Sequence, residues 1–360
     1  MIVSSDFIQA ADHKIYFGTK GFLALSMLLQ EKKYSKIFVI ADTLSHEYCL
    51  KYLLENLATT ITIEIIEFEH GEENKNIDTC VELWKVLTEL GADRKSVIIN
   101  LGGGVVTDLG SFIASTFKRG IDFIEVPTTL LAMVDAAIGG KNGVDLGSLK
   151  NQIGIIRNPE MIVVDSYFLR TLPQNQLVSG LAEMLKHGLI FDKGYWSKFS
   201  DISIFDTETF GQLIYDSIVI KNHVVLQDPT ENGIRKALNF GHTLGHAIES
   251  YFLDNPAKQK LLHGEAIAAG MIMESYISWK ENLLSIGEYL EIKTCFNNIY
   301  KNIEILDNDY QPILDLLIHD KKNEYGNIQF VLLNGIGDVL INRNVDNDLI
   351  VSAIKNYKTS

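Results

Sequence analysis

The chain has 360 residues, of which 46% are hydrophobic and 22% charged, so it is long enough for two globular domains and resembles neither a fibre nor a disordered chain. Its formal net charge of −14 argues against nucleic-acid and anionic-membrane partners, because both need basic surfaces. No apolar run is long enough to span a bilayer, no secretory signal pattern is present, and the cysteines are three and far apart. We therefore expect a cytoplasmic protein with reduced thiols and no membrane partner.

The first half of the sequence alternates short apolar runs with helical patterns. Strands are predicted at 36–42, 62–69, 96–104, 121–129 and 161–165, with helices near 50–57 and at 77–90. Helical segments between successive strands favour parallel pairing with right-handed crossovers. The sequence therefore predicts an α/β N-terminal domain over residues 1–158.

Beyond Asn158 and Pro159 the pattern changes. After the strand at 161–165, long helical patterns dominate, and only one late hairpin is predicted, within 328–341. We expect a mainly α-helical C-terminal domain over residues 159–360.

Three successive glycines, Gly102 to Gly104, follow a predicted strand and open a helix. Glycine lets the backbone approach a ligand closely, and the amide groups of a helix start favour a phosphate. The run departs from the G-x-G-x-x-G fingerprint, so a tight structural turn explains it as well as a dinucleotide pyrophosphate does.

Three of the nine histidines lie in one apolar, helix-forming stretch. His242 and His246 are four residues apart and share one helix face, and His263 follows after a loop. This spacing is compatible with a divalent metal site, but also with a packed helix face or a capping pair. A carboxylate ligand would have to come from elsewhere in the chain.

Two further stretches concentrate polar groups among small and apolar residues. Asp135, Lys141, Lys150 and Asn151 lie in the glycine-rich segment 126–154. Glu183 and Lys186 share a helix face, which is typical of a surface ion pair, but their alanine, methionine and leucine neighbours favour a partly buried face. In an acidic chain, cations in such surroundings are candidates for an anion pocket.

Six blocks in this order resemble the signature of the 3-dehydroquinate synthases: GGGVVTDLGSFIAS, VPTTLLAMVDAAIGGKNGVDL, LKNQIG, LAEMLKHGLI, RKALNFGHTLGHAIE and HGEA. The resemblance implies a dehydroquinate synthase-like fold, with a Rossmann-like NAD-binding domain followed by a helical metal- and substrate-binding domain. It implies the second step of the shikimate route, which leads to aromatic amino acids. In that step, 3-deoxy-D-arabino-heptulosonate 7-phosphate becomes 3-dehydroquinate and phosphate, with NAD and Zn²⁺ or Co²⁺. Members of this family are commonly homodimers.

The resemblance also implies residue roles. The metal ligands are expected to be Glu183, His242 and His263, so that His246 contacts substrate although its spacing had suggested a ligand. Catalytic roles are expected for Lys141, His246, Asp135, Lys186 and Asn239. Further substrate contacts are expected from Arg119, Lys150, Asn151, Lys221, Arg235 and one lysine of the pair Lys321 and Lys322. NAD contacts are expected from Asp42, Glu72, Lys75, Gly103, Gly104, Val105, Asp108, Thr128, Thr129, Lys141, Lys150, Phe168 and Thr171.

The implied cycle suits these residue types. NAD takes hydride from the metal-polarised C5 hydroxyl, the ketone acidifies the C6 proton, phosphate leaves, and the same nicotinamide returns the hydride. A substrate with a carboxylate and a phosphate carries roughly three negative charges, which the predicted lysines and arginines can balance. His246 and Lys141 are suited to relay the C5 hydroxyl proton.

Three alternatives stay open from the sequence. A sister sugar-phosphate cyclase such as 2-deoxy-scyllo-inosose synthase shares the metal, the NAD and the glycine blocks, although Asn239 argues against it. A metal-dependent polyol dehydrogenase has no use for the predicted lysines. A non-enzymatic anion-binding protein is disfavoured by the complete metal set.

Overall fold

The computed structural model describes residues 6–147, 149–199, 207–318 and 328–358. The chain forms two compact units. The first unit comprises the described residues up to Leu177, together with residues 207–222 from a helix later in the chain. The second unit comprises the other described residues. Among the helices described, none is at once long and apolar enough to cross a membrane.

Strands and helices have the following bounds. The strands are β1 (Phe7–Gln9), β2 (Lys14–Phe17), β3 (Ile37–Asp42), β4 (Ile63–Phe68), β5 (Val97–Gly102), β6 (Asp122–Pro127), β7 (Lys141–Leu146), β8 (Leu149–Ile156), β9 (Met161–Val164), β10 (Phe330–Leu333) and β11 (Val339–Arg343). The helices are α1 (Gly18–Lys32), α2 (Thr43–Asn56), α3 (Ile77–Glu89), α4 (Gly104–Thr116), α5 (Gln174–Phe191), α6 (Lys193–Ser197), α7 (Thr207–Gln227), α8 (His242–Asp254), α9 (His263–Lys280), α10 (Ile286–Ile299), α11 (Tyr310–Ile318) and α12 (Asn347–Lys358).

The first unit is built on a sheet with strand order β1-β2-β9-β6-β5-β3-β4. All neighbouring pairs are parallel except β1 with β2. Strand β5 is buried along its whole length, as expected where helices cover both faces of a parallel sheet. The predicted α/β fold is confirmed, and the predicted boundary after residue 158 falls inside this unit, before β9.

A hairpin formed by β7 and β8 was not predicted from the sequence. Gly143 and Gly154 face each other across it, and a Cβ on either would lie 2.6 Å from a backbone oxygen of the opposite strand. The two strands can therefore approach closely only because both positions are glycine. The hairpin carries three predicted site residues, namely Lys141, Lys150 and Asn151.

The second unit is mainly helical, and it contains the predicted late hairpin as β10 and β11. Helix α8 packs on α9 through glycines: a Cβ on Gly270 would lie 2.0 Å from the carbonyl oxygen of Gly241. Helix α9 is joined to α5, because the backbone N–H of Gly264 donates to Ser179 Oγ at 2.9 Å. These contacts fix the starts of α8 and α9 relative to the middle of α5.

Candidate active site

The carboxyl ends of neighbouring strands gather most of the predicted NAD residues at one edge of the first unit. Asp42 ends β3, Glu72 and Lys75 follow β4, Gly103 and Gly104 follow β5, Thr128 and Thr129 follow β6, and Phe168 and Thr171 follow β9. Because these strands are parallel, their carboxyl ends share one edge of the sheet. This is the edge at which open α/β sheets bind their ligands.

The glycine turn of this edge approaches the helix that follows it. A Cβ on Gly102 would lie 2.3 Å from Val106 Cγ2, so only glycine fits there. Gly103 is the N-cap of α4, and the amides of Gly104 and Val105 belong to its first turn. First-turn amides have no acceptor within their own helix, so they are available to a phosphate.

Lys75 links this helix to the β7–β8 hairpin. Its Nζ donates to Asp108 Oδ2 at 2.5 Å and to Asn151 Oδ1 at 2.7 Å, and its side chain is 5% exposed. Burial alone would lower the pKa of Lys75, but Asp108 and other nearby carboxylates raise it. Lys75 therefore stays charged and holds two predicted site residues in place.

A carboxylate that the sequence did not single out fixes Asn151. Asp145 Oδ1 accepts from the backbone N–H of Asn151 at 2.6 Å, where Asn151 has a left-handed φ of 51°. Beside it, Lys150 Nζ lies 3.2 Å from Glu72 Oε1. The predicted cofactor and substrate residues of the hairpin are thus tied to the turn after β4.

Asp135 lies on a π-helical turn, Ala132–Ala136, that follows β6 and Thr129. Lys221 of α7 donates to both the carboxylate and the carbonyl oxygen of Asp135. Turns of this type interrupt normal helices and are frequent at functional sites. Asp135 and Lys221, predicted from distant parts of the sequence, are in direct contact.

Some predicted NAD residues have structural partners. Asp42 caps α2, with its Oδ1 accepting from Ser45 N at 2.7 Å. The buried Phe168 ring packs near the rings of Phe22 and Tyr52, and Thr171 Oγ1 donates to the Phe168 carbonyl. These contacts account for the side chains without a ligand, so the predicted cofactor role of these residues stays a prediction.

Arg119 lies away from the other predicted residues of the first unit. It precedes the amino end of β6, whereas the glycine turn follows the carboxyl end of β5. There it lines an open depression with Asp93, Arg94 and Lys118. The structure therefore does not place Arg119 at the edge of the sheet that carries the predicted NAD residues. Lys321 lies outside the described residues.

In the second unit, Glu183 lies against two predicted ligand histidines. Its Oε1 is 3.6 Å from His242 Nε2 and 3.7 Å from His263 Nε2. Its Oε2 accepts a hydrogen bond from Lys186. Glu183 and Lys186 are both buried, which settles the choice between a surface ion pair and a buried face.

Both of these histidines have a partner at Nδ1. His242 Nδ1 is 3.1 Å from the carbonyl oxygen of Phe240, and His263 Nδ1 is 3.3 Å from Glu249 Oε2. In a neutral ring, a proton on Nδ1 leaves the lone pair on Nε2, the nitrogen nearer to Glu183. Burial would lower the pKa of His263, but Glu249 and Glu183 raise it to about 9, so this place favours a positive charge.

His246 lies in the same cluster. Its ring centroid is 5.0 Å from that of His242 and 5.8 Å from that of His263, and one nitrogen of each ring lies within 4.8 Å of the others. Geometry alone therefore also permits a three-histidine metal site. Glu183 lies near His242 and His263, and the expected ligand set of these three residues stays a prediction.

Arg235 and Asn239 lie on the 3-10 turn Ile234–Asn239, immediately before α8. Arg235 is buried and donates to the carbonyl oxygen of Pro229 at 2.7 Å. Asn239 Nδ2 donates to Glu231 Oε1 at 2.7 Å. These contacts hold both side chains on the turn that precedes His242 in the chain.

A parallel sheet with a glycine turn and a helical unit with a carboxylate–histidine cluster give this chain the fold of a class of enzymes that includes synthases solved with NAD⁺ and a divalent metal bound. Solved structures share this fold over nearly the whole chain. A 2-deoxy-scyllo-inosose synthase complexed with carbaglucose-6-phosphate, NAD⁺ and Co²⁺ is 26% identical, with a TM-score of 0.85 over 97% of this chain and 99% of that one. A 2-epi-5-epi-valiolone synthase from Streptomyces hygroscopicus, with NAD⁺ and Zn²⁺ bound, is 23% identical, with a TM-score of 0.81 over 98% of each chain, and shows the same fold.

Sequence comparison narrows the class. The profile of the 3-dehydroquinate synthase N-terminal domain matches residues 65–179, and that of the C-terminal domain matches residues 180–323. The 3-dehydroquinate synthase of Parabacteroides distasonis is 40% identical, covering 93% of this chain and 95% of its own length. That of Lactococcus lactis subsp. cremoris is 38% identical, covering 86% and 87%. The chain belongs to the 3-dehydroquinate synthase family.

Proposed function

We propose that this chain converts 3-deoxy-D-arabino-heptulosonate 7-phosphate into 3-dehydroquinate and phosphate, using NAD and a divalent metal. Family membership supports the reaction. The single observation that carries the proposal is the placement of Glu183 against the Nε2 atoms of His242 and His263. The proposed substrate is a small sugar-acid phosphate.

The chemistry of these three residues fits a divalent cation such as zinc. Ligand atoms around a tetrahedral zinc, with bonds of about 2.1 Å, are about 3.4 Å apart. The observed separations of 3.6 and 3.7 Å from Glu183 Oε1 are close to this value. Three protein ligands leave positions open for substrate hydroxyls, as a catalytic metal requires.

The bound groups would supply a Lewis acid at the reacting hydroxyl and a hydride acceptor that also returns the hydride. Lys186, donating to Glu183, neutralises part of the charge that this carboxylate brings into a buried place. His246 lies beside the proposed ligands and is suited to move the hydroxyl proton, with Lys141 as a second candidate. Asp135, held by Lys221, and Asn239 orient the substrate.

The remaining lysine and arginine side chains are proposed to balance the negative charge of the substrate. A carboxylate and a phosphate monoester carry roughly three negative charges near neutral pH. We assign their binding to Lys150, Lys221 and Arg235, together with Asn151 and, as sequence-based assignments, Arg119 and Lys321. Arginine suits two-point capture of an oxyanion, and lysine acts as a compact charge.

The first unit is proposed to hold the NAD. The amides at the start of α4 would bind the pyrophosphate, and the residues at the carboxyl ends of β3, β4 and β6 would contact the rest of the nucleotide.

We further propose a cytoplasmic location and a homodimer. Size-exclusion chromatography with light scattering tests the dimer.

One assay tests the reaction. Purified chain with the heptulosonate phosphate, NAD and Zn²⁺ is expected to release inorganic phosphate without net NADH, and Glu183→Ala is expected to abolish the release. Phosphate released from glucose 6-phosphate but not from the heptulosonate phosphate would assign the chain instead to the inosose synthases, which its fold also resembles. Net NADH accumulation would assign it to the polyol dehydrogenases.

A further inference from the structure

We propose that Glu249 is a positioning residue that selects His263 as a metal ligand. The proposal rests on the assignment of His263 to the metal made above. Glu249 is on α8, seven residues after His242 and three after His246, so the three side chains share one helix face. Its Oε2 lies 3.3 Å from His263 Nδ1, the ring nitrogen that points away from Glu183.

This contact determines which nitrogen of His263 can bind a metal. A carboxylate at Nδ1 keeps the proton there, leaves the lone pair on Nε2, and increases the basicity of the ring. Nε2 is the atom that lies 3.7 Å from Glu183 Oε1. Without the carboxylate, the ring is free to change tautomer and to turn.

The contact also gives His263 a fixed orientation within a cluster of three histidines. One nitrogen each from His242, His246 and His263 lie within 4.8 Å, so a metal could be bound by all three histidines. His242 already has its tautomer set by the Phe240 carbonyl, 3.1 Å from Nδ1. Glu249 sets the tautomer of His263 in the same way, but through a charged side chain instead of a backbone carbonyl.

Burial explains why the contact is effective. Glu249 is only 6% exposed, so its charge is poorly screened by water, and a nearby cation compensates the cost of burying it. A metal bound at His263 supplies that cation through the imidazole. Glu249 therefore strengthens metal binding and gains stability from it.

The test measures zinc affinity by competition with a chelator, in the full chain and without substrate. Glu249→Gln keeps the shape and an acceptor oxygen but loses the charge, and we expect about 10- to 100-fold weaker zinc binding. Asp254→Asn removes the same charge from the exposed end of the same helix and should leave the affinity unchanged. Thermal unfolding by circular dichroism checks that each variant is folded.

A double-mutant cycle separates positioning from a general structural effect. If Glu249 acts through His263, Glu249→Gln should have no further effect on zinc affinity in a His263→Ala background. Additive losses, or unchanged affinity in the Glu249→Gln single variant, would overturn the proposal. Unchanged affinity in His263→Ala alone would instead overturn the ligand assignment, so the two failures are distinguishable.

Discussion

The glycine turn of the first unit and the histidine cluster of the second are proposed to bind their ligands by opposite means. At the turn the ligand contacts would come from the backbone, and no side chain fits at Gly102, where a Cβ would meet Val106 at 2.3 Å. At the cluster the contacts come from side-chain atoms, each fixed by a further partner such as Phe240 or Glu249. The difference implies that substitutions should affect NAD binding and metal binding separately.

The largest expected effect is loss of the metal. Glu183→Ala or His263→Ala should weaken zinc retention by more than the about 10- to 100-fold expected for loss of an outer partner, because each removes an atom bound to the ion. His246→Ala should retain zinc and lose about 100- to 10,000-fold in turnover, the usual contribution of a proton-transfer group. Elemental analysis measures the bound zinc. Isothermal titration calorimetry measures the affinity for NAD, which should not change in these variants. Zinc loss in His246→Ala with retention in His263→Ala would contradict the ligand assignment.

The buried ion pair of the first unit comes next. Lys75→Met leaves the Asp108 carboxylate, which is only 17% exposed, without its cation, and we expect the free energy of unfolding to fall by about 3 kcal/mol in urea denaturation. Lys85→Met removes an exposed lysine that pairs with Glu82 and should leave the unfolding curve unchanged. Equal changes in the free energy of unfolding for the two variants would show that the contacts of Lys75 do not stabilise the fold more than those of an exposed lysine.

A single added methyl group tests the turn itself. Gly103 has an ordinary φ of −77°, so Gly103→Ala introduces no backbone strain, but its Cβ would lie 3.0 Å from Cγ2 of Thr129, another predicted NAD residue. We expect about 10-fold weaker NAD binding, equal to about 1.4 kcal/mol, with unchanged zinc affinity. In the matched control Gly287→Ala, the new Cβ meets nothing nearer than 3.9 Å, and NAD affinity should stay the same. Unchanged NAD affinity in Gly103→Ala would remove the turn from the nucleotide site.

The smallest expected effect is a pH dependence of the first unit. Glu125 is buried between Asn100 and Ser111, and burial raises its pKa to about 8. The unfolded chain loses this proton near pH 4.5 and the folded chain near pH 8, so stability falls as pH rises through that window. Between pH 7 and pH 8 the loss should be about 1 kcal/mol. Glu125→Gln should flatten this slope in urea denaturation, and an unchanged slope would assign the titration to another group.

The sequence predicted the elements whose pattern is strong. Strands β3, β5 and β9 are apolar on both faces, and β5 ends in the glycines, so the parallel sheet could be predicted. The β7–β8 hairpin could not, because its polar residues and glycines are mixed with aliphatic residues in no regular alternation. Its close approach depends on Gly143 lying opposite Gly154, a pairing visible only in three dimensions.

The candidate site divides in the same way. The sequence pattern favoured His242 with His246 and added His263 as a third histidine, and only the resemblance to a family pointed to Glu183 as a ligand in place of His246. The short distances from Glu183 to His242 and His263 join α5, α8 and α9, which no local pattern contains, and the ligand assignment itself stays a prediction. Glu249 was missed because an acidic residue in a helix usually indicates a solvated face, and its burial depends on tertiary packing.

The most direct measurement is anomalous X-ray scattering at the zinc edge from crystals of the zinc-loaded protein. We expect one strong peak within bonding distance of Glu183 Oε1 and of the Nε2 atoms of His242 and His263, with His246 beside it but not bound. A peak bound by His242, His246 and His263, with Glu183 directed elsewhere, would contradict it.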